Sequence, residues 1–130
     1  MAQKPSQADL RDIVVEGDAR KTVEWAETVG KGLAGSGLTT SQIRNVFGAV
    51  RQIEMQGYGD PAQQRKLLLL KPKLAYIRGK ESNHKKQGAL RDLEAVLSPA
   101  IDLVDSDEHF RNFYDFLEAI LAYHRAEGRE

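Results

Sequence analysis

Apolar residues recur at steps of three and four along several stretches of this chain. Nowhere do they alternate with polar residues over the length that a half-buried strand needs. The clearest helical stretch is 38–57, LTTSQIRNVFGAVRQIEMQG, where Ile43, Val46, Phe47, Val50 and Ile53 share one stripe. Thr39, Thr40 or Ser41 can cap its start, and Gly57 is a natural stop. Upstream, Asp18 caps a helix through KTVEWAETVGKGLA that turns Val23, Ala26, Val29 and Leu33 inward, with Trp25 on a flank, before GSG at 35–37 breaks it. Downstream, Asp60 and Pro61 open a third helix with Leu67, Leu70, Leu74 and Ile77 on its core side. Pro72 lies inside that helix and predicts a kink or a break near Leu68 to Lys71.

Residues 78–86 read as a polar connection to a fourth helix, with Leu90, Leu93, Val96 and Leu97 inward and Pro99 as a bend before Ile101 and Val104. SDEH at 106–109 caps the fifth helix, whose acidic first turn suits the helix dipole. Phe110, Phe113, Tyr114, Phe116, Leu117, Ile120, Leu121 and Tyr123 make it the most aromatic element. The expected fold is therefore all-α, a compact bundle of about five helices forming one domain over 18–127. Residues 1–17 are polar and aperiodic between the breakers Pro5 and Gly17, with Ile13, Val14 and Val15 as their only apolar cluster. They are expected to form a flexible N-terminal arm that docks at its end.

Composition adds two constraints. At 130 residues the chain can bury one core unaided, and with no cysteine it has no disulfide framework, zinc ribbon or thiol nucleophile. No apolar run reaches a bilayer span, and the start MAQKPSQADLRDI lacks the apolar centre of a signal peptide. A cytoplasmic protein without a membrane partner is expected.

Charge changes the picture most. Residues 65–91 hold nine basic side chains and one acid, a formal charge of +8, whereas 1–64 carry −1 and 92–130 carry −7. Such polarisation points to a polyanion or an acidic partner more than to a reaction. Arg44 and Arg51 stand seven apart on one helical face, with Gly48 between them. Lys66, Lys73 and Lys80 form a similar row, and Lys71 with Arg78 another. Rows of cations on rigid helices suit phosphate contacts along a nucleic-acid backbone, whereas an ordinary solvated face mixes signs. Tyr76 reads as an amphipathic core tyrosine in preference to a platform for a base.

No catalytic kit is visible. His84, His109 and His124 form no metal-ligand spacing, no HExxH is present, and the phosphate-cradling, nucleophile-elbow and dinucleotide motifs are missing. The acids Asp102, Asp105, Asp107, Glu108, Asp115 and Glu118 read as a solubilising face that pairs with the basic stretch, within the chain or in a second copy. No enzyme, no metal and no cofactor are expected.

LTTSQIRNVFGAVRQIE, then LLLLKPKLAYIRGK, then FRNFYDFLEAILAYHR, in that order and spacing, resemble the small subunit of the type III-A CRISPR effector, the Csm complex, over roughly 20–126. The resemblance implies a small five-helix, non-catalytic protein that lines a helical ribonucleoprotein in several copies, in antiviral defence. Its implied partners are the crRNA and target RNA, contacted through the backbone without sequence readout, and the backbone and large subunits of the complex. Self-association in a row or as a dimer is implied as well. The positions matching the basic motifs are Arg44, Arg51, Lys71, Lys73 and Arg78, and Lys80 and Lys85 extend the RNA-binding patch by charge. Two other readings are open: a helical adaptor whose basic face docks an acidic protein, and a helix-turn-helix DNA binder. The proline-interrupted helix after the second one serves the latter poorly.

Overall fold

Six polar side chains accept a backbone N–H two or three residues downstream: Ser6, Asp18, Thr39, Asp60, Asn83 and Ser106. A helix follows each of them. The computed structural model describes residues 3–127 and holds α1 (Gln7–Val14), α2 (Ala19–Gly35), α3 (Thr40–Gln56), α4 (Pro61–Lys80), α5 (His84–Asp102) and α6 (Asp107–Ala126), with no strand among the described residues. The expected all-α bundle is thus present with six helices, one more than about five.

The additional helix, α1, lies in the segment expected to be an arm. Ser6 and Asp9 form a reciprocal capping box, and Leu10, Ile13 and Val14 are buried against α2, α5 and α6. Burial of three such side chains contributes about 1.5–3 kcal/mol each. The Asn112 amide donates to the Val14 carbonyl at 2.9 Å, and the Lys21 ammonium meets Asp12 at 2.7 Å and Asp9 at 3.2 Å. Residues 1 and 2 of the expected arm lie outside the described residues.

α6 is the hub. It packs most extensively on α2 and also on α3 and α1, with Phe113, Phe116, Leu117 and Ile120 without exposed surface. Tyr58 stacks on Phe110 at 5.1 Å, and Phe47 meets Tyr114 at 5.4 Å. Gly30 lets α2 lie against the α6 backbone: a Cβ there would stand 2.8 Å from the Ile120 carbonyl oxygen and 2.9 Å from the His124 nitrogen. Val23, expected inward, is 48% exposed. At the same C-terminal end of α6, the buried His124 Nε2 lies 2.6 Å from the Leu38 carbonyl. A carbonyl can only accept, so this nitrogen carries the proton and donates, tying α6 to the α2–α3 turn.

α4 departs from expectation in its continuity and its length. Of the kink or break expected at Pro72 there is no break, and the helix continues to Lys80, so the polar connection shrinks from 78–86 to residues 81–83. Pro72 faces solvent and its fourth predecessor Leu68 is 57% exposed, so water can satisfy the carbonyl that the missing N–H frees. α4 is also apolar on two sides. Leu67, Leu70 and Leu74 are buried, while Leu68, Leu69 and Tyr76 are exposed.

Candidate nucleic-acid interface

α4 packs on α3 and α5 and has no extensive contact with α1, α2 or α6, so much of its circumference meets solvent. It carries six cations, Arg65, Lys66, Lys71, Lys73, Arg78 and Lys80, and no acid. Their placement follows the helical period of ~100° per residue. Lys66 and Lys73 flank a groove of about 290 Å³ between α3 and α4, over Ala49, Gln52 and Leu69. Lys80 lines a second groove between the same two helices, beside Ser41, Asn45 and Glu81. The row of three lysines seven apart is therefore one edge of the α3–α4 seam.

Arg44 and Arg51 are exposed on α3 and line neither groove. They share an outer face of that helix, away from Ala49 and Gln52 and toward the side where Phe47 meets Tyr114. Lys85, in the first turn of α5, is exposed and lies against Gly37 of the α2–α3 turn, where an added Cβ would be 3.6 Å from its side chain. Arg44, Arg51, Lys73, Lys80 and Lys85 have no ion pair among the described residues.

Lys71 and Arg78 differ. Both turn toward α5, where the Lys71 ammonium meets Asp102 at 2.6 Å and the Arg78 guanidinium donates through Nε and Nη2 to the two carboxylate oxygens of Glu94. The Glu94 carboxylate holds the Arg78 guanidinium above its ordinary pKa. These two side chains are paired within the chain, which sets them apart from the other five expected positions. Lys66, absent from the resemblance-derived set, stands in the same groove as Lys73. Its place in the 66–73–80 row was the signal for it.

Tyr76 also overturns an expectation. It is 67% exposed and is no core residue; the Lys80 ammonium lies 5.5 Å from its ring centroid. Charge, meanwhile, is sorted along the bundle. The α4–α5 connection and the α2–α3 turn share one end, joined by the Gln42 amide donating to Glu81 at 2.9 Å, and Lys80, Lys85 and Lys86 gather there. At the other end the α3–α4 and α5–α6 turns meet, with Asp60, Asp105, Asp107 and Glu108. There, burial, followed by the Asp105 and Asp107 charges, raises the Tyr58 phenol above its ordinary pKa. Among the described residues no cluster of three His, Asp or Glu is arranged to hold a metal.

The Csm2 Type III-A family model matches residues 16–130. The chain belongs to that family. It is thus a small subunit of the type III-A CRISPR effector complex, the assignment that the helix motifs suggested. No curated protein and no solved structure matches it. No described helix is long and apolar enough to cross a membrane.

Proposed function

We propose that this Csm2-family chain is a non-catalytic, cytoplasmic subunit that lines the type III-A ribonucleoprotein and contacts the crRNA–target RNA backbone without reading sequence, in antiviral defence. The observation that carries the reading is that five of the seven expected positions, Arg44, Arg51, Lys73, Lys80 and Lys85, are exposed on helices and have no ion pair among the described residues. A guanidinium or ammonium without an internal carboxylate is free to replace a counterion on a phosphate. Contacts of this kind position RNA and leave specificity to pairing between strands. Further copies of the chain, together with the backbone and large subunits, are its protein partners in this reading.

Fluorescence anisotropy with unrelated single-stranded RNAs and a guide–target duplex tests it. Wild-type protein should bind all of them weakly, with a log–log salt slope near 0.7–0.9 per phosphate contact. Arg44→Ala/Arg51→Ala should lower affinity for every sequence alike; loss on one sequence only would refute backbone contact. A second reading, an adaptor that docks an acidic protein, draws on Met55, Leu68 and Leu69, which are 66%, 57% and 49% exposed. Indifference to RNA at low salt, with retained binding of an acidic protein control, would favour the adaptor.

A further inference from the structure

The exposed side of α4 carries more than charge. Leu69, Lys73, Tyr76 and Lys80 follow one another at steps of four, three and four, so they form one stripe along its outer surface. Leu69 and Tyr76 are 49% and 67% exposed, and among the described residues no other aromatic ring contacts Tyr76. Lys73 stands one turn before the tyrosine and Lys80 one turn after it, both without a carboxylate partner among the described residues. Lys80 hovers over the ring at 5.5 Å, near the outer limit of a cation–π contact. An exposed aromatic ring on an acid-free helix, bracketed by two ammonium groups without carboxylate partners, has the make-up of a single-strand binding platform.

We infer that Tyr76 stacks an unpaired nucleobase of single-stranded RNA while Lys73 and Lys80 hold the phosphates on either side of it. This rests on the RNA-binding reading above and goes beyond it, since phosphate contacts alone do not separate single strands from duplex. Any base has a π-face, so the platform is tolerant of sequence. Bases inside an A-form duplex are stacked on one another and closed to the ring. The α4 stripe therefore favours single strands over duplex, whereas Arg44 and Arg51 on α3 do not distinguish them.

The test uses the full-length chain and three labelled probes: an oligouridylate, the same backbone made of abasic ribose, and a blunt RNA duplex of equal length. Uridylate is the probe of choice because its bases stack weakly on one another. Tyr76→Ala should weaken oligouridylate binding by about 5- to 150-fold, the range for losing one stacked base. It should leave the duplex and the abasic strand unchanged and leave the salt slope as in wild type, since no phosphate contact is lost. Tyr76→Phe should bind as wild type, because the ring and not the hydroxyl does the stacking. Wild-type affinity of Tyr76→Ala for oligouridylate would overturn the platform, and so would an equal loss on all three probes. Either result with salt-sensitive binding retained by the wild type leaves the backbone-contact reading standing. Wild-type protein that binds none of the probes at low salt overturns both, and points to a protein partner for this face.

Discussion

Gly30 and Gly32 lie in the same helix and face opposite circumstances, which makes alanine at each a sharp test of the α2–α6 interface. In the interior of a helix, replacing glycine by alanine gains about 1 kcal/mol from backbone entropy. At Gly32 an added Cβ meets nothing within 4 Å, so Gly32→Ala should keep most of that gain. At Gly30 the same Cβ would lie 2.8 Å from the Ile120 carbonyl oxygen, 2.9 Å from the His124 nitrogen and 2.9 Å from the Tyr123 Cβ. Two of those atoms are backbone and cannot rotate away. α2 must shift off α6 along the largest helix pair in the bundle, loosening Ala26, Val29 and Leu33. Overpacking of this kind costs about 1–3 kcal/mol, and the upper part of that range applies where the obstacle is main chain. After the propensity gain, Gly30→Ala should be destabilised by about 1–2 kcal/mol. For a chain of this size that is a fall of about 4–8 °C in Tm, against a rise of about 2–4 °C for Gly32→Ala. Thermal melts by circular dichroism at matched concentration read both. Equal shifts for the two variants, or a Gly30→Ala as stable as wild type, would refute the close approach.

Lys71→Ala and Arg78→Ala should change the salt slope of RNA binding far less than Lys73→Ala, because these two already neutralise Asp102 and Glu94. Lys73→Ala should lower the slope by about 0.7–0.9, and equal slopes for the three variants would contradict the pairing. Asp9 gives a pH-dependent test of α1. The Ser6 backbone N–H, then its hydroxyl, and to a smaller extent Lys21 hold the Asp9 carboxyl below its ordinary value of 3.8. A lowered folded value means that its contribution is present above 3.8 and is lost as the pH falls through the lower one. The Tm gap between wild type and Asp9→Asn should therefore stand at neutral pH and close in acid, and a gap independent of pH would count against the cap.

Much of the fold was legible in the chain. Asp18 and Asp60 cap the helices that they were expected to cap, Thr39 is the one of three candidates that caps α3, Ser106 is the residue of SDEH that caps α6, and Gly57 ends α3 with a positive φ of 101°. These signals are local: a short polar side chain or a missing Cβ acts within one turn. α1 escaped because its eight residues, lying between the breakers Pro5 and Gly17, are too few for periodicity to speak, although Ser6 and Asp9 carried a capping-box signature. The α4–α5 pairs escaped for another reason. Lys71 and Asp102 are 31 residues apart, and nothing local distinguishes a lysine with a distant carboxylate from one without. Tyr76 follows the core residue Leu74 closely, yet the helical turn carries it to the opposite side of α4.

A body with zero formal charge overall, yet cationic at the α4–α5 connection and anionic at the α5–α6 turn, feels little net pull from a distant polyanion. What it feels is a torque. Within about 10 Å at 0.1 M salt, where screening still permits a field, that torque swings the lysine-rich tip forward before attraction sets in. Orientation then precedes capture, and the molecule meets an anionic surface tip first.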